Sequence, residues 1–151
     1  MKLLTVNIGR PRPNPWKGLD ATGIDKRPVD GPVFVSAPGP KGTGAVGLAG
    51  DRVYDVKHHG GPDQAVYAYA REDLDAWQEE LGRPLANGVF GENLTTLGLD
   101  VNGALIGERW RVGGPHHRGG VGGPGGGGRG AVPRGAEGGV VRVAQGRRPP
   151  A

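Results

Sequence analysis

Lys57-His58-His59-Gly60-Gly61-Pro62-Asp63-Gln64 leads into Ala65-Val66-Tyr67-Ala68-Tyr69, and Arg71 to Leu81 follows at once. Residues 65–69 alternate small and large side chains, the period-two pattern of a strand whose two faces differ. Residues 71–81 predict a helix. Leu74, Trp77 and Leu81 fall on one face, and Glu72, Asp73 and Asp75 crowd the first turn, where the helix dipole favours anions. Gly82 supplies the stop. Outward from this centre, Leu3 to Ile8 predicts a strand closed by Gly9 and a loop carrying Pro11, Pro13 and Pro15. Val33-Phe34-Val35-Ser36 predicts another strand after Gly31-Pro32, and Pro38 to Gly44 a loop. A short strand follows Glu92-Asn93. Leu105 to Val112 has period two, with Trp110 and Val112 on one side and Arg109 and Arg111 on the other. Many short strands, Gly/Pro turns and one helix predict a mainly β domain, a barrel or sandwich with helical decoration.

The chain has 151 residues, room for one domain or one domain plus a tail. It holds 32 Gly and 14 Pro, and 15 of those Gly fall in residues 113–151. Charge divides at the same place: six Arg and one Glu lie after residue 112, so the net charge of +4 belongs to the tail. Residues 113–139 are too rich in Gly to offset chain entropy and are expected to be disordered. Val140-Val141-Arg142-Val143 regains strand character. No run approaches the length of a transmembrane segment, and the first residues lack the apolar core of a signal peptide. With 0 Cys there are no disulfides, thiolate metal sites or Cys nucleophiles in this chain. The expectation is a cytoplasmic protein with no membrane partner.

Two clusters carry the polar chemistry. In Gly50 to Ala65, Arg52, Lys57, His58 and His59 surround Gly60-Gly61. A Gly-Gly turn can expose backbone N–H groups to an anion, and Lys57 and Arg52 add charge for a phosphate. The alternative is a polar turn whose His residues bond to nearby carbonyls, and the chemistry alone leaves both open. A His58–His59 metal pair is disfavoured because neighbours on an extended chain point to opposite faces. His116 and His117 sit in the Gly-rich segment. In Gly88 to Thr96, Glu92 can accept hydrogen bonds from a base or ribose, and Asn93 can both donate and accept. Here the alternative, favoured on these residues alone, is a turn in which Asn93 bonds to backbone. Trp16, Trp77 and Trp110 read as core. Arg129-Gly130 has no Arg-Gly-Gly repeat or aromatic residue beside it, which argues against nucleic acid as a partner.

Lys2-Leu3-Leu4-Thr5-Val6-Asn7-Ile8-Gly9, Gly50-Asp51-Arg52, the stretch from Lys57 to Tyr69, Gly91-Glu92-Asn93-Leu94-Thr95-Thr96 and Ile106-Gly107-Glu108-Arg109-Trp110, taken together, resemble a MOSC domain. That domain is named for the C-terminal part of molybdenum cofactor sulfurases. Within the family, the chain resembles the small stand-alone bacterial proteins associated with resistance to hydroxylaminopurine. The resemblance covers residues 1–112. It implies a closed β-barrel with peripheral helices and binding of a molybdenum cofactor (molybdopterin). It also implies reduction of small N-hydroxylated bases and related compounds, with electrons from a redox partner protein. In the sulfurase branch it implies cofactor sulfuration, where pyridoxal phosphate belongs to a separate domain that nothing here encodes. The cofactor-binding residues it points to are Arg52, Lys57, His58, His59, Gly60, Gly61, Gln64, Glu92 and Asn93. Lys57 and Arg52 would meet the cofactor's anion, and Asn93 would make polar contact with cofactor or substrate. A non-catalytic cofactor or sulfur carrier is the alternative, and an Arg/Gly-tailed nucleic-acid binder a second.

The family pattern includes a late Cys, a soft ligand suited to molybdenum. Residues 140–150 resemble the segment that bears it, with Pro150 in the Cys place, so no catalytic residue or metal ligand is assigned. Residues 140–151 read as a remnant of that segment, and 114–139 stand where a short turn is expected. The family's final helical part is expected after Ala151. Two accounts fit: a protein that has lost its thiolate, or a reading-frame shift in GC-rich DNA. The tail's Gly, Arg, Pro and Ala, and the confinement of all five Lys to earlier residues, favour the second. Either way the polypeptide is expected to be a poor catalyst.

Overall fold

The apolar, β-branched run at the start of the chain forms β1, Lys2–Gly9, and the short runs that follow supply its neighbours. The computed structural model describes residues 1–15, 18–105, 108, 110 and 143–144. After β1 come β2 (Arg12–Pro13), β3 (Ala21–Thr22), β4 (Lys26–Val29), β5 (Val66–Ala70), α1 (Arg71–Leu81), β6 (Leu94–Leu97) and β7 (Val143–Ala144). β2 and β3 form a separate two-stranded ribbon; the rest make one sheet in the order β4-β1-β6-β5-β7. Among the described residues the fold is mainly sheet with one α-helix, and the sheet is open, with β4 and β7 at its edges.

β6 holds the centre. It pairs antiparallel with β1 (Thr5↔Thr95, Val6↔Leu94) and parallel with β5 (Ala68↔Leu94, Ala70↔Thr96). Parallel neighbours need a crossover, and residues 71–93, with α1 at their start, provide it. The alternation in β5 sorts two clusters. Tyr69 meets Leu74 and Leu85 on the helix side, with Tyr67, Trp77 and Phe90 against them. Ala68 and Ala70 meet Val101 on the other, with Leu94, Leu99 and Trp110. The small Ala side chains admit close packing on the second face.

α1 has the predicted bounds. Leu74 is fully buried, and the Trp77 indole N–H donates to the Tyr69 hydroxyl at 3.0 Å. Gly82 ends the helix at φ 61, and its N–H and that of Arg83 donate to the carbonyls of Glu79 and Gln78. The Arg71 guanidinium pairs with Asp75 and also donates to the Leu85 carbonyl (3.0 Å) and Asn87 Oδ1 (2.8 Å), so the helix start grips the following loop. Leu81, expected on the buried face, is 47% exposed because the last turn passes the edge of the cluster.

Three further expectations are corrected. The strand expected at 65–69 lies one residue later. Val33–Ser36 is not a strand: a single bridge, Val35↔Leu48, is all that forms, and Phe34 points outward. Between Pro32 and Pro38 the chain gains only two ladder bonds, Ser36 N–H to Gly47 O and Ala49 N–H to Phe34 O. Leu105, Glu108 and Trp110 are not in a strand either. The Glu108 N–H bonds back to the Leu105 carbonyl at 3.0 Å, and its carboxylate accepts from the Leu105 N–H and the Trp110 indole, which makes a turn. The remainder of 105–112, the segment 113–139 and most of 140–151 lie outside the described residues, as does Trp16. Within the last stretch, Val143–Ala144 does form a strand, paired parallel with Val66 and Tyr67. No helix among the described residues is long and apolar enough to cross a membrane.

Leu74→Ala is expected to lower the unfolding free energy by about 3 kcal/mol, through lost burial plus the cavity left behind. Leu81→Ala should cost under about 1 kcal/mol. Urea denaturation of the two variants checks the contrast; equal losses would contradict the packing described.

Candidate functional site

At one end of the sheet, where β1 finishes and β5 and β6 begin, four polar side chains are buried: Asn7, Asp51, Glu92 and Asn93. Burying them is costly unless every hydrogen-bonding group finds a partner. Asn93 spans three segments. Its Nδ2 donates to Asp51 Oδ2 (2.8 Å) and to the Asn7 carbonyl (3.3 Å), and its Oδ1 accepts from the Tyr67 N–H (3.2 Å). Its own backbone bonds to Tyr67 and Asn7 at 2.7 Å each. Asp51 accepts from the Gly9 N–H at 2.8 Å through Oδ1, and Oδ2 meets Lys26 Nζ at 2.6 Å. Both side chains of that ion pair are largely buried, 11% and 6% exposed, so the pair depends on the further donors around it.

Glu92 does a separate job. Its carboxylate accepts from the backbone N–H of Gly88 (2.5 Å) and Phe90 (3.1 Å) and from the Thr95 hydroxyl (3.0 Å). It closes the 88–92 turn from inside. Gly88 is required there: φ is 90, and a Cβ would lie 2.3 Å from the Lys26 carbonyl oxygen.

The basic cluster lies outside this network. Lys57, His58 and His59 are exposed, as are Arg52 and Gln64. Residues 55–59 form a turn rather than an extended run, so the opposite-faces geometry expected for His58 and His59 does not apply. The backbone N–H of both donates to the Asp55 carbonyl, and His58 Nδ1 lies 2.9 Å from Asp55 Oδ2. That hydrogen bond from His58 holds the Asp55 carboxyl below the usual carboxylate range. Gly60 and Gly61 take φ of 91 and 83, and the Gln64 N–H closes a 3-10 turn onto the Gly61 carbonyl. The backbone of Arg52 packs beside Gly23, and its guanidinium donates to the Asp51 carbonyl at 3.0 Å. Among the described residues, no group of three or more His, Cys, Asp or Glu is placed to hold a metal ion.

The structure therefore brings Lys57, His58, His59, Gly60, Gly61 and Gln64 together on one turn, with the Lys, His and Gln side chains exposed, Gly60 half-buried and Gly61 buried. Arg52 stands at the border between that turn and the network. Glu92 and Asn93 lie beneath the surface with their hydrogen-bonding groups engaged. Sequence reasoning missed Asn7, Lys26 and Asp51. Asp51 had a signal, an acid within a cluster of basic residues, but its partners are 25 and 42 positions away.

An aromatic hollow of about 350 Å³ opens on the helix side, lined by Tyr67, Tyr69, Trp77, Leu81 and Phe90. Tyr69 and Phe90 meet edge to face at 5.3 Å and 84°. Burial, with smaller contributions from the charges of Tyr69 and Glu92, pushes the Tyr67 phenol up to about 12. It stays protonated at neutral pH and can donate a hydrogen bond.

Glu92→Gln replaces one acceptor oxygen by a donor facing backbone N–H groups. It is expected to cost about 2 kcal/mol of stability. Lys57→Ala, at an exposed position, should stay within about 0.5 kcal/mol. Denaturant midpoints check both, and an unchanged midpoint for Glu92→Gln would remove its role in the turn.

Residues 55–121 match the family model of the MOSC domain. The uncharacterized protein YflK of Bacillus subtilis is 38% identical over 111 residues, covering 73% of this chain and 47% of that protein. A reductase of Gibberella moniliformis is 31% identical over 115 residues, 74% of this chain and 19% of its own length. Protein YiiM of Escherichia coli is 35% identical over 95 residues, covering 61% and 39%. The chain spans less than half the length of each of these relatives. It belongs to the MOSC domain family.

Proposed function

We propose that this MOSC domain binds a molybdenum cofactor through the Lys57–Gly61 turn, and that its reaction type is reduction of small N-hydroxylated compounds. The observation that carries the binding half is the turn itself. Two glycines at positive φ stand among cations, and Lys57 and Arg52 have no acidic partner among the described residues. Such a surface suits the anionic end of a cofactor. The reductase half is supported at family level by the reductase from Gibberella moniliformis. In this reading Lys57 and Arg52 meet the anion, and His58, His59, Gly60, Gly61 and Gln64 shape the turn. Glu92 and Asn93 act from below, by fixing the strand ends on which the turn rests.

The donor set fits the cofactor only in part. The turn offers cations and N–H groups for its anion, but these 151 residues hold 0 Cys, so no thiolate is available for the metal. Bound, the cofactor would supply redox chemistry; no step through the metal follows from the residues present. This absence of a soft donor favours a second reading, a cofactor carrier without turnover. The barrel closure, a cytoplasmic location and a redox partner protein belong to the same proposal, supported by family membership alone.

The test is to purify the chain after growth with molybdate and to measure bound molybdenum and pterin. Reduction of a hydroxylaminopurine with an artificial electron donor is then assayed. Bound cofactor with weak turnover is expected. Cofactor without any turnover selects the carrier, and absence of cofactor even after incubation with the free molecule overturns the proposal.

A further inference from the structure

A second loop reaches the turn from a part of the sequence that shows no motif. Residues 38–48 lie against 56–65, and glycines set the approach. A Cβ on Gly47 would sit 2.0 Å from the Ala65 carbonyl oxygen, and one on Gly44 3.5 Å from a Val56 methyl. A Cβ on Gly60 would face the Ala45 carbonyl at 3.9 Å. One on Gly61 would lie 3.1 Å from Lys41 Cβ and 3.4 Å from Lys41 N. Lys41 is thus the residue that meets Gly61, beside the Ala45 carbonyl that faces Gly60. Its loop is held in place: Pro38 and Leu48 are buried at its ends, and the Thr43 hydroxyl donates to the Pro40 carbonyl at 2.9 Å.

Charge gives the contact its meaning. Lys41 is exposed and, like Lys57, has no ion-pair partner among the described residues. The nearby acids are occupied: Asp51 pairs with Lys26 and Asp55 with His58, and Asp63 has an interaction of its own. Two loops packed together therefore leave unpaired ammonium groups beside a turn of positive-φ glycines. Cations that form no ion pair of their own remain free to meet an anion, and two of them together favour one of more than one charge. Lys binds phosphate as a point charge and needs no fixed fork geometry.

We propose that Lys41 is an anion-binding residue, which with Lys57 holds a phosphate-class oxyanion over Gly60–Gly61 from the opposite loop. This deepens, and rests on, the reading of the Lys57 turn as an anion site. The bound group is a phosphate monoester or diphosphate, the chemistry shared by the tail of a pterin cofactor and by a nucleotide substrate.

Calorimetric titration of the full chain with inorganic pyrophosphate, at low and at raised salt, tests it. Lys41→Ala and Lys57→Ala are each expected to weaken binding about tenfold and to flatten its salt dependence. Lys41→Arg should keep most of the affinity, and the distant Lys2→Ala all of it. Melting temperatures of the variants should match the wild type, since both lysines are exposed. If Lys57→Ala weakens binding and Lys41→Ala does not, the inference about Lys41 fails while the turn stands. Loss in Lys41→Arg equal to that in Lys41→Ala would also overturn it, because charge would not be what matters. No pyrophosphate binding by the wild type at low salt would overturn the anion site and Lys41 together.

Discussion

The side-chain amide of Asn93 is the point on which the architecture depends. One residue before β6, it bonds to Asn7 at the end of β1, to Tyr67 at the start of β5 and to Asp51 in the intervening loop. All its donors and its acceptor are engaged with geometry fixed by three separate segments. Asp51 extends the joint to Gly9 and, through Lys26, to β4. Strand pairing alone sets the order of the sheet. This network ties the ends of β1, β5 and β6 together and anchors the long 30–65 segment to them at Asp51. Because an unpaired charge or amide in this buried site would cost several kcal/mol, alternative registers at that end are penalised together.

A division of labour follows. Polar residues inside the network serve the fold and, apart from Asn7 Oδ1, which is buried and unpartnered among the described residues, are bonded to one another or to backbone. Those on the neighbouring turn keep their charges toward solvent and remain available. Glu92 ties the network to the aromatic hollow: its carbonyl accepts from Asn7, and its carboxylate clamps the 88–92 turn from which Phe90 enters the hollow beside Tyr69 and Trp77. The hollow and the basic turn lie on either side of β5's beginning: Tyr67 lines the first, and Gly61 leads into the strand from the second. The shared element makes rigidity at the strand start a condition for both surfaces.

Local patterns made part of this legible in the sequence. Arg71–Leu81 is periodic, charged at its start and stopped by Gly82, and β1 and β5 are short apolar runs bounded by Gly and Pro. Val33–Ser36 shares the composition of a strand, but its pairing depends on a partner with which it makes only one bridge. No local pattern carries that information. On their residues alone Glu92 and Asn93 read as a turn in which Asn93 bonds to backbone, and Asn93 does so; the family resemblance is what pointed to them as ligand contacts. Their burial depends on Asn7 and Asp51, which stand 86 and 42 positions from Asn93. Lys41 had no signal at all, since its place beside Gly61 comes from the packing of one loop on another. The motif gathered the candidate residues, and tertiary contact assigned them to surface or interior.

Native-state hydrogen exchange at the amides of Gly9, Tyr67 and Gly88 tests the central claim most directly, because each donates to a side chain of the network. If the network holds the strand ends, these three should exchange only through global unfolding, with the same free energy as the backbone amides of Asn7 and Asn93. Exchange through local opening, at a free energy well below that of unfolding, would show that the sheet stands without the network and contradict the account.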